Sequence, residues 1–375
     1  MSDPILTRAA DDSAQHRTSS CAKASTDAFV STGLSPGARK GAVRTVHLIG
    51  PGQVGRAFLR QFSRDDLRVV AVSDRTASVF AKDGIDRSAI TEWKQRGGRL
   101  SEWDGAETIP TELAIRLVGA DLVVDATPSA IGDTEAAITR SRAALQCGAT
   151  LVLCSKNGLA KSAANWLQGA SRNQIGINAV LGGAGAQLVA ELDELRDSCE
   201  ELQLVGNVTT TAIVDAVERG ASIDEGIAEA QRLGFLEPDA TLDLDGTDAA
   251  IKLLCAWSAV FGATFTAAPG LASVQRQDVR DLDPEVLRER AARGATTRLV
   301  ARSGRSLGDL RVTFEEVAVG SALAAPADRV VYGYRLPSGL RVHTGLGVGY
   351  ERTAEALWAD VNALLPVAGG EEAQR

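Results

Sequence analysis

Residues 237–253 read E-P-D-A-T-L-D-L-D-G-T-D-A-A-I-K-L, in which five carboxylates (Glu237, Asp239, Asp243, Asp245 and Asp248) precede a single lysine, Lys252. Acids at this density can hold a hard cation, and Asp243-x-Asp245-Gly246 overlaps the calcium-loop pattern. The register excludes that ion. With Asp243 and Asp245 as third and fifth ligands, the first would be Thr241 and the twelfth Lys252, a cation where a bidentate glutamate is needed. A solvated acidic loop ahead of a helix is the plainer alternative, with Thr247 as N-cap and Asp248 favouring the positive end of the helix dipole. Lys252 falls outside that account. It follows Asp248 at the i,i+4 spacing, on the same helical face, directly ahead of the apolar run L-L-C-A-W. The pair is either a surface ion pair or an ammonium set beside a carboxylate at a reacting centre.

The rest of the chain limits the choice. With 375 residues, 45% of them hydrophobic, it can bury a large core and divide into two domains or more. A net charge of −8 argues against a general nucleic-acid binder. No apolar run reaches the roughly 20 residues that span a bilayer. Cys21, Cys147, Cys154, Cys199 and Cys255 are scattered, without a C-x-x-C, and the three histidines (His16, His47 and His343) leave little room for a zinc site or a histidine triad. A reducing cytoplasm and no metal are expected, with proton chemistry resting on Lys, Asp or Glu.

Residues 1–41 are rich in Ser, Thr, Ala, Asp and Gly without a sustained period, which predicts a disordered tail. They lack a signal-type apolar segment, and Asp3, Asp11, Asp12 and Asp27 count against a transit peptide. Order is expected to begin at V-R-T-V-H-L-I-G. A helix over about residues 53–63 follows, then the strands L-R-V-V-A-V-S-D, A-D-L-V-V-D-A-T and A-T-L-V-L-C-S. Near-continuous Val/Leu/Ile strands alternating with helices predict an α/β fold, a doubly wound parallel sheet of Rossmann type.

The first strand-to-helix turn is Gly50-Pro51-Gly52-Gln53-Val54-Gly55, a G-x-G-x-x-G. Its glycines permit a tight turn and a close backbone approach to a pyrophosphate, while Gln53 and Val54 open a helix whose N-terminus attracts anions. Asp74, closing the second strand, would accept from the ribose 2′-hydroxyl of NAD; the adjacent Arg75, with Ser73 and Thr76, would hold the 2′-phosphate of NADP. NAD and NADP both remain open. With a nicotinamide coenzyme nearby, the acidic stretch acquires a use. A carbonyl that receives hydride needs a proton, which a neighbouring lysine can donate, and carboxylates can hold a substrate ammonium group. Together these features suggest reduction of an amino-acid aldehyde.

Over residues 43–365 the chain resembles the homoserine dehydrogenases. Residues 229–253, E-A-Q-R-L-G-F-L-E-P-D-A-T-L-D-L-D-G-T-D-A-A-I-K-L, are similar to that family's most specific signature. Supporting matches are the glycine turn, D-G-I-D at 83–86, L-V-L-C-S-K-N-G-L-A at 151–160, L-G-G-A-G at 181–185 and G-L-G-V-G-Y-E-R-T-A at 345–354. The resemblance implies reversible, NAD(P)-dependent interconversion of aspartate 4-semialdehyde and homoserine. Lys252 would be the proton donor and Lys156 a second active-site lysine. Glu237 and Asp248, with Asp243 nearby, would bind the amino end of the substrate, and Ser155 and Gly349 would line the coenzyme. It further implies a dinucleotide-binding domain over 42–178 completed by 345–366, an α+β substrate and dimerisation domain over 179–344, a short tail over 367–375, a homodimer, and a monofunctional chain without a regulatory domain.

Departures from the family pattern are Ser155 for an asparagine, Val208 for a glycine, Asn178 for a glutamate, Ala240 for a proline, and Leu346 and Val348 in the last glycine motif. Asn178 withdraws a carboxylate from the monovalent-cation site that some family members carry. Together the changes suggest a shifted substrate pocket. Two rivals therefore stand beside the homoserine reading: a dehydrogenase of another amino-acid aldehyde or hydroxy amino acid, and an NAD(P)-binding sensor without turnover.

Overall fold

The computed structural model describes residues 43–129, 134–236, 241–264, 269–306, 309–346 and 349–367. The expected tail at 1–41 and Glu237 lie outside them, as does all but the first residue of 367–375. The first sheet arises from β1 (Arg44–Ile49), α1 (Gln53–Arg60), β2 (Leu67–Ser73), β3 (Ser78–Phe80), α2 (Arg87–Gln95), α3 (Thr111–Val118), β4 (Leu122–Asp125), α4 (Thr134–Gln146), β5 (Thr150–Leu153), α5 (Asn157–Trp166) and β6 (Ile175–Gly176). Its strand order is β3-β2-β1-β4-β5-β6. Pairings are parallel except β2 with β3. β3 turns back because only a short turn separates it from β2, and a parallel crossover needs a dozen residues or more. Asp74 holds that turn, its Oδ1 accepting from Thr76 N at 2.7 Å and Ala77 N at 3.2 Å.

Strands buried on both faces are apolar throughout: Val46, Leu48 and Ile49 of β1 and Leu122 and Val124 of β4 are all at most 2% exposed. His47 interrupts β1 yet is fully buried. Its Nε2 lies 2.7 Å from Ser73 Oγ, which lies 2.7 Å from Ser78 Oγ, a polar thread across β1, β2 and β3. Burial pushes its pKa down to about 3, so the ring crosses the sheet uncharged. The D-G-I-D stretch is a helix start, with Asp86 Oδ1 accepting from Ser88 N and Ala89 N ahead of α2.

The second sheet follows from α6 (Gly185–Ala190), α7 (Leu192–Ser198), β7 (Glu201–Val205), α8 (Val208–Glu218), α9 (Ile223–Arg232), α10 (Thr241–Leu244), α11 (Thr247–Val260), β8 (Gln275–Arg276), α12 (Pro284–Ala292), β9 (Ala295–Gly304), β10 (Arg311–Ala318), β11 (Arg329–Leu336) and β12 (Gly339–Leu346). Its order is β12-β11-β7-β9-β10-β8. α8, α11 and α12 pack on one face of it, and α11 also lies along α5 of the first layer. The last helix, α13 (Gly349–Leu364), returns to α1, β5 and β6. Trp358 stacks on Phe58 with ring centroids 4.4 Å apart and donates from Nε1 to Phe58 O at 3.1 Å. Stacking adds about 0.5–1.5 kcal/mol to the burial of the ring.

Asp360 of α13 is 5% exposed, and its Oδ2 accepts from Asn178 N at 2.7 Å. Burial raises its carboxyl from 3.8 to about 7, although the Asn178 N–H opposes the rise. The unfolded chain binds no proton there above its ordinary pKa while the folded chain still must, so this group costs stability as pH climbs from about 4 to about 7 and nothing below that window. Asp360→Asn keeps the acceptor and removes the charge. Its urea midpoint is expected to exceed that of the parent at pH 8 and to match it at pH 4; parallel pH profiles of the two chains would contradict the buried, reluctant ionisation.

Candidate active site

Gly246 precedes α11 with φ +75°, and Asp245 Oδ1 accepts from Thr247 N at 2.9 Å. Thr247 is therefore the first helical residue and not the cap expected from sequence, because the left-handed turn is made by the glycine in front of it. Asp248 then sits in the first turn and Lys252 in the next. Lys252 Nζ lies 2.7 Å from Asp248 Oδ2 and donates to Gly206 O. Lys156, at the N-terminal boundary of α5, brings its Nζ to 3.5 Å from Asp248 Oδ1. A surface helix pair would leave these groups in water; here the side chains of Lys252, Asp248 and Lys156 are 12%, 20% and 20% exposed. Burial alone would raise the Asp248 carboxyl, but the two ammonium groups outweigh it and hold it at about 2. Burial alone would lower Lys156, and Asp248 outweighs that too, so the Lys156 pKa is raised.

The strand-to-helix joint after β7 completes the cluster. Asn207 caps α8 through Oδ1, which accepts from Thr210 N at 2.8 Å, while its Nδ2 donates to Asp243 Oδ1 at 2.9 Å and reaches Asp248 Oδ2 at 3.5 Å. Burial and the like charge of Asp248 raise the Asp243 carboxyl. Val208, found where the resembled family has glycine, is the first residue of a right-handed helix, so its branched side chain meets no positive-φ demand. Asn207 was absent from the candidates drawn from sequence; its signal was an Asn directly ahead of an N-terminal helical run, V-T-T-T.

At the carboxyl edge of the first sheet, Gly50 has φ +83°, and a Cβ there would come 2.8 Å from Thr127 N. A Cβ on Gly55 would come 2.3 Å from Gly50 O. Gly52 precedes α1 without any side-chain cap, and Gln53 and Val54 form its first turn. Thus the turn is compressed against its neighbours while the first amides of the helix keep no side-chain acceptor, as an anion cradle requires. Ser155, next to Lys156, is 3% exposed, and its Oγ has no partner among the described residues. These features fit a dinucleotide. Sequence reasoning passed over the loop after β4, where Asp125 Oδ1 accepts from Thr127 N at 3.0 Å, Arg140 Nε donates to Asp125 Oδ2 at 3.2 Å, and Ser129 Oγ accepts from Lys156 N at 3.0 Å. T-P-S directly after a buried parallel strand was the available signal.

Asp74 is more committed than the sequence suggested. Besides Thr76 N and Ala77 N, it accepts from Thr76 Oγ1 at 2.6 Å, Lys94 Nζ at 2.8 Å and Leu100 N at 3.3 Å. Burial would raise its pKa, and Lys94 and Thr76 turn the balance downward. A carboxylate offers about four lone-pair positions, so a ribose hydroxyl would have to displace a donor already in place. Arg75 is exposed beside it. Gly349 opens α13 with φ +75°, and the contacts at that end run to the C-terminal end of α1, where Arg60 and Gln61 meet Glu351.

A doubly wound sheet with a glycine turn at its carboxyl edge, facing a lysine-carboxylate cluster, defines a dinucleotide-dependent oxidoreductase. Residues 187–361 match the homoserine dehydrogenase family model. Residues 26–196 match the model of the glutamate/leucine/phenylalanine/valine dehydrogenases. The NAD(+)-dependent homoserine dehydrogenase of Pseudomonas canavaninivorans is 24% identical over 333 residues, 84% of this chain and 94% of that protein. A hyperthermophilic archaeal homoserine dehydrogenase in complex with NADPH superposes with a TM-score of 0.66 at 23% identity, covering 86% of this chain and 98% of that one. The homoserine dehydrogenase of Thermoplasma acidophilum gives 0.61 at 24% identity, covering 86% and 99%. At these identities the structural likeness speaks for the fold.

Gly50→Ala forces a Cβ against Thr127 N at a strained φ. Fluorescence titration with NADPH is expected to show at least about tenfold weaker binding than the parent (about 1.4 kcal/mol), with the far-UV spectrum unchanged; unaltered affinity would remove the turn from the coenzyme site.

Proposed function

We propose that this chain interconverts aspartate 4-semialdehyde and homoserine with NAD(P)H, with Lys252 as proton donor to the aldehyde oxygen. The observation that carries the proposal is the single Asp248 carboxylate held between Lys252 and Lys156, with all three side chains partly buried. Gly50, Gly52 and Gly55, with Gln53, Val54 and Ser155 beside them, would hold the coenzyme, which when bound would supply the hydride. Lys252 spends one N–H on Asp248 and one on Gly206 O, which leaves a third for the substrate oxygen. Lys156, kept cationic by Asp248, stabilises negative charge developing on that oxygen. Asp243, fixed by Asn207, offers its carboxylate to the substrate ammonium, and Glu237 is assigned to the same end.

A sensor without turnover would have no use for two lysines competing for one carboxylate. A dehydrogenase of a different amino-acid aldehyde would share the cluster and differ in rate profile. Initial rates with aspartate 4-semialdehyde, and with homoserine in reverse, separate these cases: turnover with other aldehydes and none with this one would redirect the substrate assignment. Lys252→Met is expected to lower kcat by ~10²–10⁴ while leaving NADPH binding intact. A change confined to KM would take the proton away from Lys252.

Coenzyme choice turns on Asp74. While Lys94 neutralises it, a 2′-phosphate near Arg75 meets little repulsion; Lys94→Gln releases the carboxylate to accept a 2′-hydroxyl. The ratio of kcat/KM for NADPH over NADH is expected to fall several-fold in that variant, and a ratio that stays or rises would discard Asp74 as a selectivity element. For assembly, Leu340, Val342 and Leu346 alternate along edge strand β12 and are 42%, 36% and 42% exposed. An apolar stripe of this kind supports a homodimer through the second sheet, and sedimentation of a monomer at working concentration would refute it.

A further inference from the structure

Away from the lysine-carboxylate cluster, a cleft of about 540 Å³ opens between the end of α5, the turn over residues 169–174, and α6 and α7. Arg172, Arg196, Asp193, Gln168 and Asn173 supply its polar lining. Arg172 is already engaged: Nη1 lies 2.7 Å from Asp193 Oδ1, and Nη2 donates to Val189 O. Arg196 is not fully satisfied. Its Nε donates to Ala259 O at 3.0 Å and its Nη1 to Leu167 O at 3.2 Å, while its buried Nη2 has no partner among the described residues. Two guanidinium groups thus share a cleft with one exposed carboxylate, and burial together with the Arg172 charge lowers the Arg196 pKa. An unmatched guanidinium donor beside a second cation is the arrangement an oxyanion relieves.

The two bonds that Arg196 does make connect this cleft to the cluster. Leu167 caps the C-terminus of α5, whose N-terminal boundary is Lys156; Ala259 lies in the last turn of α11, whose first two turns hold Asp248 and Lys252. One cation therefore satisfies end carbonyls of both helices that carry the reacting groups, where a positive charge also complements the helix dipoles. The cleft lies one helix length from Lys156, about 15 Å at 1.5 Å per residue.

We propose that this cleft is a second binding site, selective for a small molecule bearing a carboxylate or phosphate group, which is held by Arg196 and Arg172. The same Arg196 guanidinium bonds the end carbonyls of α5 and α11 through Leu167 O and Ala259 O.

The test is isothermal titration of the full chain, saturated with NADPH, with inorganic phosphate and separately with acetate, at ionic strength held constant with chloride. The parent chain is expected to bind one anion saturably. Arg172→Gln is expected to weaken that binding at least tenfold. Asp193→Asn, at an exposed position, is expected to tighten it several-fold, because Arg172 loses its internal competitor. Lys252→Met is expected to bind the anion like the parent, so a failure of the assigned reaction leaves this test intact. Preference for phosphate or for acetate names the group recognised. Heats that do not saturate, or that are equal in the parent, Arg172→Gln and Asp193→Asn, would show general ionic stabilisation only and overturn the proposal. Binding seen only without NADPH would place the ion on the glycine turn and overturn it as well.

Discussion

A carboxylate taken out of water without a counter-charge costs several kcal/mol, and so does an ammonium. Asp248 and its two lysines avoid that cost only together, since each is partly buried and each is the other's compensation. That mutual dependence organises much of the surrounding structure. α11 must begin where it does for Asp248 to occupy the first turn. α5 must begin at the carboxyl edge of the first sheet for Lys156 to reach across. β7 must end at Val205 for the carbonyl of the next residue, Gly206, to accept a hydrogen bond from Lys252. Removing the Asp248 charge would leave two partly buried ammonium groups without their shared counter-charge.

Around this triad the polar groups are arranged in successive supports. Asn207 serves as a helix cap and as a donor to Asp243, so the same residue that starts α8 also orients an acid of the cluster. Ser129 receives the amide of Lys156, and its loop begins at Thr127, which faces Gly50 across less than the space of a methyl group. The glycine turn and the lysine are thereby linked through one short loop of the first sheet. Asp74 shows the opposite economy: a residue that could have faced solvent and ligand is occupied by its own turn and by Lys94.

Much of the first layer was legible because its strands are buried on both faces. Continuous runs such as T-V-H-L-I and L-V-V-D leave few other structures open to the chain, and a glycine turn between strand and helix has a local physical meaning. Helix ends were less legible. α1 stops at Arg60, short of the residue 63 expected; Thr247 proved to follow its cap; and α13 starts at Gly349, ahead of Glu351. Terminal turns depend on a few weak hydrogen bonds that flanking contacts readily shift. The antiparallel β3 was invisible for a related reason, since S-V-F gains strand geometry only by pairing with β2.

By itself the sequence determined what local chemistry dictates: apolar strands, a turn only glycine can make, and a lysine one helical turn beyond an aspartate. Spacing along the chain cannot say whether that pair lies in water or is partly buried. Tertiary structure decided this by bringing Lys156 from another helix to the same carboxylate, by filling Asp74 from α2, and by placing Arg196 at the ends of both α5 and α11. These are contacts between residues far apart in sequence, set by the packing of whole helices and sheets, and no local pattern encodes the position of a partner that another element must deliver.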